Sequence, residues 1–192
     1  MSAAVAAGAT ASTFRRWRLI ALVWGFAEAT LFFVIPDVWI TRVALRSRRE
    51  AFAAIAHAIV GAMAGGALVY LWGARDPAAV RAVFDALPAI SPALIDSIGA
   101  RWQQLGVWAP LVGAFSGVPY KLYAAQAAGF VSLPVFVALS VLARGARFLI
   151  FALFAHAIAR RATPRFGERR VFALWLGLWI VGYTLYWLRM PN

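Results

Sequence analysis

Five charged residues lie inside apolar stretches of this 192-residue chain. Glu28 and Asp37 stand in the first such stretch, and Lys121, Arg144 and Arg147 stand in later ones. A charge near the middle of a bilayer costs on the order of 3 kcal/mol, so it normally faces protein or a water-filled cavity. We expect the two acids to pair with one or more of the three bases. The group would then form either a transport site or a purely structural ion-pair network.

The elements that carry these charges are interrupted by proline. Pro36 comes directly before Asp37, and Gly117 and Pro119 interrupt a later apolar stretch just before its lysine. Proline removes a backbone donor and disfavours helix at the preceding residue, so neither stretch should form one continuous spanning helix. Setting Pro36 on Pro119 also aligns Phe32 with Phe115. We therefore predict two related helical hairpins broken at these residues, whose exposed helix ends could bind anions or ions.

Composition places the chain in a membrane. Hydrophobic residues make up 64% of the sequence and the mean hydropathy is +0.77, both above the values of ordinary soluble domains. The 19 basic residues, of which Lys121 is the only lysine, exceed the 7 acidic ones. They cluster beside apolar segments, which fits membrane topology signals and anionic lipid headgroups better than nucleic acid. Cysteine is absent, which excludes disulfides and thiol chemistry.

The order of segments predicts an all-α membrane protein with two antiparallel repeats. Each repeat is a re-entrant hairpin followed by a transmembrane helix, since half-segments of about a dozen residues reach only to mid-bilayer. In the first spanning segment, small residues including Gly61, Gly65 and Gly66 suit close helix packing. The predicted parts are a disordered start (1–14) and a single membrane domain (15–192), divided into repeat 1 (15–73), an amphipathic connection (74–104), repeat 2 (105–160) and a last transmembrane helix (171–188).

Charge distribution predicts the topology. With a cytoplasmic N-terminus and two re-entrant hairpins, twelve basic residues fall inside, four fall outside and three lie at membrane depth. This agrees with the positive-inside bias. Full spanning by both interrupted segments would instead place residues 42–49 opposite residues 15–18, against that bias. The odd number of spans between the repeats also makes them antiparallel, as in many transporters.

The chain resembles the DedA/VTT superfamily, and within it the short bacterial YqaA-like proteins. The resemblance covers roughly residues 18–160. It rests on Phe26-Ala27-Glu28 with Pro36-Asp37, on Gly117-Val118-Pro119-Tyr120-Lys121 followed by Gly129, and on the basic pair in the next span. It implies two oppositely oriented re-entrant hairpins and the translocation of polyprenyl phosphate or phospholipid, with coupling to the proton gradient.

The resemblance also implies roles for individual residues. The family's acidic pair falls on Glu28 and Asp37, which would couple transport to protons or cations. The family's basic signature is usually Arg, then Pro-Gly, then Arg. In this chain Ser116 occupies the position of the first arginine, Tyr120 replaces the glycine, and Lys121 lies near the position of the second arginine. Lys121 and Tyr120, with Arg144 and Arg147, would therefore bind the substrate phosphate. The departure leaves the identity of the lipid open.

These observations predict a non-enzymatic lipid transporter in the bacterial inner membrane. The expected substrate is undecaprenyl phosphate or a related anionic lipid, and the expected partners are membrane lipids, protons or cations, and not nucleic acid. Homo-oligomerisation is left open. No cofactor or metal is expected, because the two histidines, His57 and His156, have no nearby carboxylate pattern. The alternatives are a non-transporting envelope scaffold and a proton-coupled transporter of a small solute.

Overall fold

The protein is described by a computed structural model that covers residues 3–189. This part of the chain contains α-helices and short 3₁₀ turns and no β-strand, so the predicted all-α class is confirmed. The helices in chain order are α1 (Ala3–Thr30), α2 (Asp37–Ala44), α3 (Arg48–Arg75), α4 (Pro77–Asp85), α5 (Pro92–Leu105), α6 (Ala109–Gly113), α7 (Tyr120–Gln126) and α8 (Leu133–Arg189).

The first helix, α1, covers most of the stretch predicted as a disordered start at residues 1–14, since it begins at Ala3. The stretch is rich in alanine, the residue with the highest intrinsic helix propensity, and it continues without a proline into the apolar stretch. The disordered start stays a prediction. Residues 1 and 2 of the predicted start lie outside the described range.

The helix is interrupted at the first predicted break. α1 ends at Thr30, and α2 begins directly after Pro36. The chain reverses direction here, as a hydrogen bond shows: the Trp24 indole N–H donates to the carbonyl oxygen of Val34 at 2.7 Å. Further along α2, the Trp39 indole stacks on the same Trp24 ring, with centroids 6.4 Å apart. The short helix α2 therefore lies back along α1.

The helix is also interrupted at the second predicted break, and the two helical limbs there are shorter than expected. α6 ends at Gly113, Gly117 adopts φ +78°, and α7 begins directly after Pro119. A positive φ is readily adopted only by glycine, so the turn depends on this residue. The limbs contain five and seven α-helical residues rather than about a dozen each, because 3₁₀ turns at Gly106–Trp108 and Ala127–Gly129 adjoin them.

Helix α3 is the centre of the fold, and α1 runs parallel to it. Near its start, Glu50 forms an ion pair with Arg18 at 2.8 Å. Farther along both helices, Gly65 faces Ala29, and a Cβ added at Gly65 would lie 3.0 Å from the Ala29 Cβ. α1 therefore ends about ten residues, or about 15 Å, before the end of α3. The predicted small-residue packing face is confirmed.

The second interrupted segment packs against the remaining part of α3. A Cβ at Gly66 would overlap the hydroxyl of Tyr120, and one at Gly73 would overlap the carbonyl oxygen of Ala125. Residue numbers increase in the same direction along both helices, so α7 also runs parallel to α3. The two breaks meet beside the adjacent glycines of α3, and the two hairpins extend from there toward opposite ends of that helix.

Helix α8 consists of two antiparallel limbs joined at Gly167, where φ is +79° and ψ is 156°. Before this residue, His156 Nδ1 lies 2.9 Å from the carbonyl oxygen of Ala44, at the end of α2. After it, the Tyr183 hydroxyl accepts a 2.9 Å hydrogen bond from the N–H of Ile35, just before α2 begins. The second limb therefore returns along α2, and it contains the last helix predicted at 171–188.

The predicted amphipathic connection forms two helices, α4 and α5. Their buried residues are apolar and lie on one side of each helix: Val80, Phe84, Ile95, Ile98 and Trp102. These residues pack against α7 in a common apolar cluster. The polar side remains exposed and carries an ion pair between Arg81 and Asp96.

The outer surface of the longest helices is apolar. α3 and α8 are each long and apolar enough to cross a membrane. On α8, Leu142 is 63% exposed, Phe154 is 66% exposed and Leu178 is 74% exposed. Soluble monomers rarely expose apolar side chains contiguously on this scale, because each exposed Å² costs hydrophobic free energy. The surface fits a lipid environment.

Candidate functional site

Arg144 forms an ion pair with Glu28, and both side chains are buried. Glu28 comes from the end of α1 and Arg144 from the first limb of α8. The guanidinium also lies over the Tyr120 ring, 4.5 Å from its centroid. A buried charge is stabilised only when it is paired, and a guanidinium stacks well on an aromatic face. The pair therefore connects the first hairpin, the second hairpin and α8.

Arg147 forms the second ion pair, with the buried carboxylate of Asp37. Its Nη2 lies 2.6 Å from one carboxylate oxygen, and its Nε lies 3.2 Å from the other. This bidentate geometry is the strongest arrangement for arginine with a carboxylate. The third nitrogen, Nη1, donates to the carbonyl oxygen of Ala114 at 3.0 Å. Arg147 therefore binds both interrupted segments, one through a carboxylate and the other through a backbone group freed by the break.

Lys121 is 1% exposed and forms no ion pair within 4.0 Å among the described residues. Its ammonium group instead donates to the carbonyl oxygen of Phe32 at 2.7 Å. Phe32 lies in the non-helical turn between α1 and α2, where the carbonyl has no helical partner. Three bases were considered as partners for the acids. Arg144 and Arg147 form ion pairs with them, whereas Lys121 binds a backbone carbonyl instead.

Tyr120 lies in the site, but its hydroxyl is already engaged. It donates to the hydroxyl of Ser140 at 2.9 Å, and Ser140 in turn donates to the carbonyl oxygen of Phe136. Its ring carries the Arg144 guanidinium on one face and stacks with Phe136. Tyr120 therefore orients Arg144, and the predicted direct contact between Tyr120 and a phosphate would require this hydroxyl to change partner.

These groups surround a cavity of about 310 Å³. Glu28, Lys121, Arg144 and Arg147 all line it, together with Tyr120. The rest of the wall is largely apolar and comes from both breaks and from the last limb of α8, including Leu31, Phe32, Phe33, Phe115, Val118, Trp179, Tyr183 and Tyr186. The predicted site residues are therefore brought together at one cavity, except that Asp37 reaches it only through Arg147.

The charges of the site leave one excess positive charge. Three bases stand against two carboxylates when all five groups are ionised. Arg144 also keeps a donor free, because its Nε has no hydrogen-bond partner among the described residues. Arginine binds phosphate and carboxylate oxygens in the same geometry, so a phosphate can replace a carboxylate at either guanidinium. The arrangement therefore suits an anion that exchanges with the two acids.

The last helix contributes to the site in a way that was not predicted from the sequence. The Tyr183 hydroxyl accepts from the N–H of Ile35, and Tyr183 lines the cavity. The indoles of Trp175 and Trp179 both donate to the Thr41 hydroxyl, at 3.0 and 3.3 Å. The break at Pro36 could have indicated this contribution. Backbone groups that lose their helical partners in an apolar setting need partners from side chains.

Comparisons with known proteins complete the description of the site. No protein-family model matches this chain, and neither does any curated protein or any solved structure.

Proposed function

We propose that this chain is a multi-pass protein of the bacterial inner membrane that moves an anionic lipid between leaflets. The substrate we favour is undecaprenyl phosphate or a related lipid phosphate. The observation that carries the proposal is a set of buried or half-buried charges at one cavity, namely Glu28, Lys121, Arg144 and Arg147, with Asp37 paired to Arg147 just behind it. Burying a charge network is a poor way to stabilise a fold, so its presence favours a functional role.

The positions of the two hairpins support a re-entrant architecture. The first hairpin turns back beside Gly65, and the second packs on α3 from Gly66 to Gly73. If α3 crosses the bilayer, the hairpins enter it from opposite sides and their breaks meet inside it. Such non-helical backbone is tolerated at membrane depth only where protein or water surrounds it. This arrangement supports an inverted-repeat transporter, whose substrate site would lie between the repeats.

The apolar wall of the cavity favours a lipid over a small polar solute. Leu31 is 51% exposed and Phe115 is 58% exposed, and each belongs to one of the two breaks at the cavity. A lipid could place its phosphate among the charged groups while its chain passes these side chains toward the bilayer. A small solute would gain nothing from this apolar opening.

The paired acids supply a route to proton coupling. A carboxylate that takes up a proton loses most of its attraction for its arginine, and the freed guanidinium can bind a phosphate. Release of the phosphate restores the Glu28–Arg144 or Asp37–Arg147 pair and returns the proton. Uptake of a proton and of an anionic headgroup would therefore be linked at the same two guanidinium groups.

The resemblance to the DedA/VTT superfamily is part of this proposal. It predicts the same acids, the same order of breaks and the same substrate class. Arg144 and Arg147 line the same cavity as Lys121, which supports the proposal that they bind the phosphate where the altered basic signature lacks an arginine. We propose a transporter rather than an enzyme.

Lipid exchange in proteoliposomes tests the proposal. The purified chain is reconstituted, and the accessibility of a lipid phosphate headgroup on the inner leaflet is followed with time. We expect faster exchange than in protein-free liposomes, and faster exchange of a lipid phosphate than of phosphatidylcholine. No exchange of any lipid would support the scaffold alternative. Uptake of a small anion without lipid exchange would support the solute transporter.

A further inference from the structure

A second cavity lies at the opposite end of α2 from the charge network. It is a groove of about 810 Å³ between the end of α2 and the two limbs of α8 near their turn. Its lining and that of the first cavity share no residue. The charged residues of this basic groove are Arg42, Arg46, Arg160, Glu168 and Arg169.

The four arginines of the basic groove lack a close carboxylate partner among the described residues, although the charge of Glu168 attracts Arg42. None of the four forms an ion pair within 4.0 Å among residues 3–189, although Arg18, Arg81, Arg144 and Arg147 each do. Glu168 is the one acid in the lining, so the groove has a large excess of positive charge. Like charges held together repel one another unless an anion neutralises them. An anionic ligand would provide that neutralisation.

The groove is held in shape by contacts that do not pair its arginines with carboxylates. The Arg42 guanidinium lies over the Phe172 ring, 4.6 Å from its centroid, which fixes it by a cation–π contact. His156 Nδ1 contacts the carbonyl oxygen of Ala44 at 2.9 Å and fixes the opposite wall. The break at Gly167 brings the two limbs of α8 together around the groove. The arginines therefore keep free donors on a fixed framework.

The apolar surroundings distinguish a lipid from a free ion. Leu45, Ala159, Val171 and Phe172 share the lining with the arginines. Of these, Phe172 is itself 38% exposed. A lipid whose headgroup phosphate binds the arginines would thus also meet apolar side chains of the groove with its acyl chains. Free phosphate would use only the charged part of the lining.

We infer that the basic groove is a binding site for the phosphate headgroup of an anionic phospholipid, distinct from the proposed transport cavity. Basic pockets between helices at the cytoplasmic side of membrane proteins have the right chemistry for such headgroups. The inference uses the membrane setting but not lipid transport. Its failure would leave the transport proposal intact, and the reverse also holds.

Two triple variants distinguish lipid binding in the groove from attraction by the general positive charge of the chain. The groove variant is Arg46→Gln, Arg160→Gln and Arg169→Gln. The matched control is Arg49→Gln, Arg161→Gln and Arg165→Gln, which removes three exposed arginines from the same two basic stretches outside the lining. The purified full-length proteins are titrated with phosphatidylglycerol in detergent, and the bound lipid is counted by native mass spectrometry. Phosphatidylcholine and inorganic phosphate are titrated in parallel.

We expect the groove variant to bind phosphatidylglycerol about tenfold more weakly or worse, because each arginine near a headgroup contributes substantially to binding. The control should stay within about twofold of the parent. Equal losses in both variants would overturn the inference, since binding would then depend only on total charge. Displacement of the lipid by inorganic phosphate at similar concentrations would also overturn it, since the groove would then be an ion site.

A charge-preserving variant separates binding from folding. Arg46→Lys, Arg160→Lys and Arg169→Lys keeps the positive charge but loses the planar donors of arginine. We expect binding between that of the parent and that of the glutamine variant, with an unchanged unfolding temperature. If the lysine variant binds no better than the glutamine variant while both unfold at the parental temperature, positive charge in the groove does not attract the headgroup and the inference is wrong.

Discussion

The ammonium group of Lys121 donates a 2.7 Å hydrogen bond to the carbonyl oxygen of Phe32, so the chain's only lysine joins its two helix breaks. The break between α1 and α2 leaves this carbonyl without a helical partner. The lysine supplies both a donor for that carbonyl and the positive charge in excess of the two ion pairs. One side chain therefore has a structural and an electrostatic task.

Replacing Lys121 by methionine tests both tasks, because it removes the charge and the donor but keeps nearly the same side-chain volume. Lys121→Met removes the charged donor that binds the carbonyl of Phe32, which should cost about 1–3 kcal/mol of unfolding free energy. It also removes the excess charge, so lipid-phosphate exchange should fall. Lys121→Arg should retain part of both. Unfolding in detergent and exchange in proteoliposomes are the measurements, and a methionine variant that matches the parent in both would remove Lys121 from the site.

A double-mutant cycle should show that Glu28 and Arg144 depend on each other. Arg144→Gln leaves a buried carboxylate without its partner and should cost about 3–5 kcal/mol. Adding Glu28→Gln to that variant removes the unpaired charge and should restore much of the loss. The exposed pair Arg81–Asp96 is the matched control, for which the same cycle should give little coupling. If the double variant instead lost as much stability as the two single variants together, Glu28 and Arg144 would be independent and their pairing would be contradicted.

Close packing of α1 on α3 should make Gly61 sensitive to a single methyl group. A Cβ there would overlap the carbonyl oxygen of Leu22, so Gly61→Ala must separate the two helices. We expect a loss of about 1–3 kcal/mol, typical of overpacking. Gly177→Ala is the control, because a Cβ at Gly177 meets nothing within 4 Å. Thermal unfolding of both variants decides, and an unaffected Gly61→Ala protein would contradict the helix contact.

Topology can be tested directly because the chain lacks cysteine. Single cysteines at Arg49 and Thr163 should react with an impermeant reagent only from the cytoplasm, and one at the exposed Ala86 only from outside. These sides follow from the positive-inside bias and from two re-entrant hairpins. Labelling of position 49 from outside would mean that the first interrupted segment crosses the whole membrane.

Local sequence signals were sufficient for the breaks and the charged residues. Proline at 36 and 119 and glycine at 117 have local backbone effects, so their positions predict interruptions without knowledge of the fold. The five charged residues can be recognised because an ionisable group in an apolar segment is costly and is therefore usually paired or functional. The overall helical class follows from the same patterns.

The partners of those residues depended on the fold and were not predictable in detail. Glu28 and Arg144 are 116 residues apart, and nothing local selects Arg144 over Lys121 as the partner of Glu28. That choice depends on how α8 lies against α1. The role of Tyr183 was missed for the same reason, since only the return of α8 at Gly167 brings its hydroxyl to Ile35.

The most direct measurement of the central claim is lipid-phosphate exchange by Glu28→Gln and Asp37→Asn proteins in proteoliposomes with an imposed pH gradient. Both variants keep the shape of the side chain but cannot ionise, and Asp85→Asn, at an exposed residue of α4, is the matched control. If the paired acids couple proton uptake to binding of the headgroup, each site variant should lose exchange or its response to pH, while the control behaves as the parent. Parental rates with an unchanged pH response in both site variants would contradict the account.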